Sequence, residues 1–299
     1  MIDSPKYYSW QDFRCAYTVS DSTNSQTETT IVLIHPIGVG LSRLFWQRFI
    51  KTWLTRHSNS VIYNPDLLGC GESAMPAVAY YPSDWAAQIS YFIKSVVRKP
   101  VVLIVQGASF PIAIELTQHL EPNWIEKLVL SAPPAWRTMT DAAQPQQQKL
   151  LWNLLFNSPI GLGNLFYRYA RRRQFIESFS IRQLFADPRQ VDRQWLNELT
   201  EGAKNPHSRY AVFSFLAGFW RRDYASAIAQ IEQPTLTVFG QQTSSISREG
   251  KAETLQERLD AYIEHLPQGQ GCFISGRNVL PYESTSEFVR VVADFLQGH

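Results

Sequence analysis

Apolar and polar positions fall into two rhythms along this chain of 299 residues. Thr30–His35, Val101–Val105 and Pro234–Phe239 are continuous runs of mostly β-branched and aliphatic residues, the pattern of strands buried on both faces of a parallel sheet. Val61–Tyr63, Lys127–Leu130 and Cys272–Ser275 are shorter runs read the same way. Between them, Phe45–Leu54, Asp84–Val97, Phe110–Leu120, Glu253–His265 and Ser286–Leu296 carry apolar residues at helical spacing, the second of them opened by Pro82-Ser83. At the start, Tyr7–Trp10 and Phe13–Val19 read as paired strands, and the polar loop Ser20–Gln26 has turn composition. Each parallel pair of strands needs a crossover helix, so this alternation predicts a doubly wound, mostly parallel sheet.

The rhythm breaks from about Thr138 to Ala227, where only helical patterns rich in Leu, Phe, Trp and Arg occur. An all-helical insertion in an α/β sheet reads as a cap. The predicted division is residues 1–137 and 229–299 as two parts of one core, with 138–228 as the cap. There is no internal repeat, and the biased stretch Gln144–Gln148 reads as a polar loop entering the cap.

Composition changes this picture little. Hydrophobic residues at 44% supply a substantial core, and a net charge of +2 gives no nucleic-acid footprint. Cys15, Cys70 and Cys272 are too few and too scattered for a disulfide framework. No HExxH, CxxC, clustered carboxylate or dinucleotide-loop pattern is present, so neither a metal nor a cofactor is expected. The first residues lack a secretory pattern, and no apolar run approaches the ~20 residues that span a bilayer. The expectation is a soluble, cytoplasmic protein, or one peripheral to a membrane.

Four fragments, in order, carry a family likeness. Leu33-Ile34-His35-Pro36-Ile37-Gly38 resembles the HG-type loop after the third strand of α/β-hydrolases. Asp66-Leu67-Leu68-Gly69-Cys70-Gly71-Glu72-Ser73 resembles the D-x-x-G-x-G-x-S segment after the fourth. Ile231–Gly240 looks like the strand leading to the catalytic acid, and Leu280-Pro281-Tyr282-Glu283 like the stretch after the catalytic histidine. The chain therefore resembles a capped member of the α/β-hydrolase superfamily over nearly its whole length. The implied fold is an eight-stranded, mostly parallel doubly wound sheet with an all-helical cap insertion.

The resemblance also locates the catalytic positions, and these hold the wrong residues. Lys99–Ser109 reads as a strand entering a nucleophile elbow, with Gly107 where the nucleophile belongs. Thr243 falls at the acid and Val279 at the base. Ile37 and Ala108 are the oxyanion-loop equivalents, and Pro36, Gln106 and these five positions are the expected pocket lining. A rival register makes Ser109 the nucleophile, but puts Pro111 where the second glycine of G-x-S-x-G belongs. A serine needs a base, and the histidines offer little. His57, His119 and His265 fall on helices or their ends, His299 is terminal, and His35 reads as structural. Only His207, in the cap, could overhang the pocket. Cys70 reads as a packed loop residue rather than a reactive thiol.

Three function classes follow. The first is a catalytically inactive homologue that binds a hydrophobic small molecule or a protein partner. The second is an esterase-like hydrolase using Ser109. The third is a membrane-associated scaffold or assembly factor that works through its cap. For the cap, one reading buries a face of each helix on the pocket and shows arginines to water. The other makes Trp152, Phe156, Phe166, Tyr167, Phe219 and Trp220, with Arg171, Arg172 and Arg173, a surface for a partner or a membrane.

Overall fold

A computed structural model describes residues 4–21, 29–57, 59–157, 161–245 and 250–298. Its strands are β1 (Lys6–Trp10), β2 (Phe13–Asp21), β3 (Thr29–Ile34), β4 (Ser60–Pro65), β5 (Val101–Gln106), β6 (Ile125–Ser131), β7 (Thr235–Gly240) and β8 (Gly269–Ile274). They form one sheet in the order β1-β2-β4-β3-β5-β6-β7-β8. β1 pairs antiparallel with β2 and β2 with β4, and every other pairing is parallel. Helices α1 (Gln47–Arg56), α2 (Pro82–Phe92) and α3 (Phe110–His119) alternate with the strands up to β6.

The chain from β6 to β7 is helical in all its described residues that are ordered into elements. It runs through α4 (Trp136–Thr140), α5 (Pro145–Phe156), α6 (Leu162–Ala170), α7 (Arg173–Phe179), α8 (Arg193–Gly202), α9 (Arg209–Leu216) and α10 (Ala225–Ile228). After β7 come α11 (Leu255–His265), α12 (Leu280–Glu283) and α13 (Thr285–Gln297).

Side-chain alternation along the central strands divides the core into two layers. Ile31, Leu33, Val102 and Ile104 pack with Phe49 and Trp53 of α1 and Phe288 and Val292 of α13. Val32, Ile34, Val101, Leu103 and Val105 face the other way, onto Ile89 and Phe92 of α2, Leu116 of α3 and Tyr262 of α11. Each such side chain contributes roughly 1.5–3 kcal/mol through burial. This is why the strands read as continuous apolar runs. The cap is anchored on the first layer: Trp195 of α8 lies against Phe45 and Tyr282. Gly40 (φ +75°) lets the loop after β3 touch α8, since a Cβ there would sit 1.9 Å from the Leu199 carbonyl oxygen.

Several boundaries differ from the sequence pattern, each for a local reason. The expected helix 84–97 begins at Pro82, ends as α-helix at Phe92, and widens into a π-turn over Ile93–Val97. Apolar spacing does not report that change of hydrogen-bond pitch. Phe45 belongs to a 3₁₀ turn, Arg43–Trp46, before α1. α11 starts at Leu255 rather than Glu253, because Thr254 and Glu257 exchange capping-box hydrogen bonds. Ser20 and Asp21 complete β2, while residues 22–26 of the expected loop, and His299, lie outside the described residues.

Candidate functional site

Strand β5 delivers the chain into a tight turn at Gly107 (φ +59°), from which α3 departs almost at once. The left-handed backbone suits glycine, and a Cβ built there would have only the Ala132 carbonyl oxygen near it, at 3.9 Å. A side chain has room at this turn but none is present. At the end of β7, Thr243 is folded back on its own loop: its hydroxyl accepts from the Gly240 N–H at 2.8 Å and donates to the Arg277 carbonyl at 2.7 Å. Val279, in the loop between β8 and α12, is buried.

All three positions line one cavity of about 580 Å³ between the sheet and the cap. Pro36, Ile37, Gln106 and Ala108 line it as well, so the expected pocket residues are brought together. The cap contributes Leu151, Phe166, Phe175, Phe179, Val212 and Trp220 to the opposite wall. The lining is chiefly apolar, the usual character of a small-molecule site.

Neutral hydrogen bonds stitch the floor of this cavity. Gln106, at the end of β5, donates through Nε2 to the Asn278 carbonyl at 2.7 Å. Asn278 in turn donates through Nδ2 to the carbonyls of Gln183 (2.7 Å) and Ser244 (3.0 Å). With Thr243 bonded to Arg277, the loops after β5, β7 and β8 are held without an ionised group at any of the three catalytic-type positions. The Gln106 Oε1 is buried and unpartnered. The ionisable lining side chains are Arg221 and Arg258, and the latter is buried over Phe239 with its ion-pair partner Glu253 at 3.7 Å.

Ser109 sits apart from this cavity. It is fully buried beneath the elbow, and its Oγ donates to the His35 carbonyl at 2.9 Å. A hydroxyl so engaged ties the elbow to the loop after β3. His35 is buried too. Its Nε2 accepts from the Leu67 N–H at 3.0 Å, which requires the neutral tautomer that donates from Nδ1 to the Pro36 carbonyl at 2.8 Å. Burial is the main cause holding its pKa below the ordinary value. His207 does not overhang the pocket: it is exposed, on the turn before α9, with its ring against Tyr210. Burial also pushes the Cys15 thiol up to about 11 and raises Cys70, so neither is a ready nucleophile.

The expected cap surface is corrected in several members. Tyr167 is 2% exposed and its hydroxyl meets Ser208 at 2.6 Å. Phe219 is 7% exposed and stacks on Tyr81 with ring centroids 4.8 Å apart. Phe166 and Trp220 line the cavity, while Trp152 and Phe156 stack on each other, half-buried. Arg171 is half-buried and donates to the carbonyls of Ala203 and Lys204, whereas Arg172 and Arg173 are exposed. Flat rings gain most by turning inward, and the solvent side is left to leucines that the sequence reading passed over. Leu150, Leu154, Leu162 and Leu165 are all exposed. Leucines and rings are interleaved in these apolar stretches, so spacing along the sequence did not separate the two faces.

The parallel sheet, the elbow after its central strand and the helical cap define the α/β-hydrolase fold. The chain belongs to the alpha/beta hydrolase family, whose model matches residues 31–289. It is similar over 99% of its length, and 98% of the other's, to a putative alpha/beta hydrolase from Nostoc sp PCC 7120, with TM-score 0.76 and 16% identity. A thermophilic esterase from Thermogutta terrifontis aligns with TM-score 0.69 and 16% identity over 98% of each chain. An enol-lactonase from Burkholderia xenovorans LB400 aligns with TM-score 0.71 and 14% identity, over 98% of this chain and all (100%) of that one. No curated protein matches the sequence. No helix among the described residues is long and apolar enough to cross a membrane.

Proposed function

We propose that this chain is a hydrolase-fold protein that binds an apolar small molecule in its capped cavity without hydrolysing it. The observation that carries the reading is the convergence of Gly107, Thr243 and Val279 on one cavity. These stand at the turn after β5 and in the loops after β7 and β8, where a triad would place nucleophile, acid and base. None offers a nucleophile with a base beside it, and triad members act as a unit. An apolar wall, a volume of about 580 Å³ and few polar groups suit retention of a hydrophobic ligand.

The esterase reading through Ser109 has less support. Its hydroxyl is buried and its hydrogen bond goes to the His35 carbonyl rather than to an imidazole nitrogen. The test is binding and turnover on one sample. A neutral apolar fluorophore such as N-phenyl-1-naphthylamine should bind, and p-nitrophenyl esters of several chain lengths should hydrolyse no faster than in buffer. Val279→Phe, which intrudes on the cavity, should weaken fluorophore binding about tenfold while the fold survives, as a loss of about 1.4 kcal/mol. Fluorophore binding that ignores Val279→Phe, or ester turnover by the unmodified chain, would defeat the reading.

A further inference from the structure

α5 is an unusual cap helix, for none of its described residues is fully buried. Its outer side carries Leu150, Leu151 and Leu154, of which Leu150 is 71% exposed. The neighbouring α6 exposes Leu162, Leu165 and Tyr169 at the same three-to-four-residue spacing. The two helices pack closely, since a Cβ on Gly163 would lie 1.9 Å from the Leu155 carbonyl oxygen. A solvent-facing run of large apolar side chains of this extent marks an interaction surface.

Charge says what covers it. Between Asp141 and Glu177 the sequence carries Lys149, Arg168, Arg171, Arg172 and Arg173 and no acidic residue. Beside the apolar side chains, a cleft of about 310 Å³ is lined by Tyr169, Arg172, Gln174, Phe175, Ser178 and Arg182. Two guanidinium groups with hydroxyl and amide donors fit a phosphate diester. Leucines that enter an acyl layer, cations spread around them and a cleft for a phosphate describe an anionic phospholipid surface. A protein partner would instead need an acidic apolar face.

The large cavity meets the same side. Gln147, Leu151 and Leu216 line it and are also exposed, and Phe175 is a wall shared between cavity and cleft. We propose that the α5–α6 side of the cap seats on an anionic phospholipid leaflet, with a lipid phosphate in the Arg172–Arg182 cleft, and that the cavity exchanges its ligand with that leaflet. Docking stands by itself. The exchange step rests on the reading of the cavity as a ligand site.

The test uses the full chain with vesicles of phosphatidylcholine alone or mixed equally with phosphatidylglycerol. Binding should favour the mixed vesicles about tenfold or more at low salt and fall as salt is raised. The pair Leu150→Ser with Leu154→Ser, and separately Arg172→Gln with Arg182→Gln, should each weaken it about tenfold. Neither pair should alter occupancy of the cavity by N-phenyl-1-naphthylamine in vesicle-free solution, since those side chains do not line it. When the fluorophore is loaded into mixed vesicles, its transfer to the leucine variant should slow by a similar factor.

No binding to mixed vesicles at low salt, or binding untouched by either pair, overturns docking. So does a concentration-dependent dimer that the leucine pair disperses while vesicles are ignored. Vesicle binding without any slowing of transfer in the leucine variant overturns exchange alone. Docking with no fluorophore bound in solution instead counts against the cavity reading.

Discussion

Two groups of loops at the ends of the sheet strands are built on opposite chemistry. In the loop after β4, Asp66 is wholly buried; it is ion-paired with the buried Arg43 and accepts from the backbone N–H groups of Arg43 (2.8 Å) and Glu72 (2.9 Å). Arg43 also reaches Glu72. At the ends of β5, β7 and β8 the corresponding ties are an amide, a hydroxyl and a second amide bonded to carbonyls. Ionised groups hold the first loop; at the three catalytic-type positions the tying side chains are neutral, although the Glu283 carboxylate accepts from the Arg277 N–H at 2.8 Å in the loop after β8. A charge removed from the first region leaves its partner stranded. A polar group removed from the second leaves only an unmade hydrogen bond.

The largest expected effect follows directly. Arg43→Leu should destabilise the fold by about 3–5 kcal/mol, because it leaves the Asp66 carboxylate buried without a cation. Chemical denaturation measures it, and a loss under about 1 kcal/mol would erase the contrast between the two regions. Thr243→Val should cost about 1–2 kcal/mol, the size of a lost pair of neutral bonds. A cost as large as that of Arg43→Leu would show that the second region too is held by strongly coupled polar groups.

His35 sharpens the comparison through pH. Its native pKa lies below the ordinary value of 6.5, chiefly through burial, so below about pH 6.5 the unfolded chain takes up a proton that the native state does not. Its contribution is therefore full above that pH and is lost as pH falls. Glu198 opposes this: burial raises it to about 6, so its contribution is lost as pH rises from about 4.5. The difference between the parent chain and His35→Gln isolates the first term. Stability of the parent should fall more steeply below about pH 6.5 than that of the variant, and parallel curves would contradict the neutral tautomer.

The smallest effect expected is a null. Gly107→Ser finds space at the elbow, at a cost of about 1 kcal/mol for the left-handed backbone. It should gain no ester hydrolysis, because Val279 offers no base. Turnover by this single variant would mean that another group takes the proton.

Much of this was legible in the sequence, for reasons tied to particular residues. Val101–Val105 and Pro234–Phe239 read as strands because both faces of the sheet are covered, and Asp66–Ser73 announced its loop through its glycines. The cap was less legible. Leu150–Phe156 is apolar all round its helix, so the pattern does not say whether Trp152 or Leu150 faces inward. The carbonyl contacts of Thr243, Gln106 and Asn278 join segments far apart in the chain, and no local spacing encodes them.

The central claim is that this elbow holds no working nucleophile, and one measurement reaches it directly. The chain is treated with a fluorophosphonate that labels activated serines, and its intact mass is read beside its turnover of a p-nitrophenyl ester. The account predicts an unchanged mass and hydrolysis at the buffer rate. A single phosphonate adduct on Ser109, together with ester turnover, would contradict it.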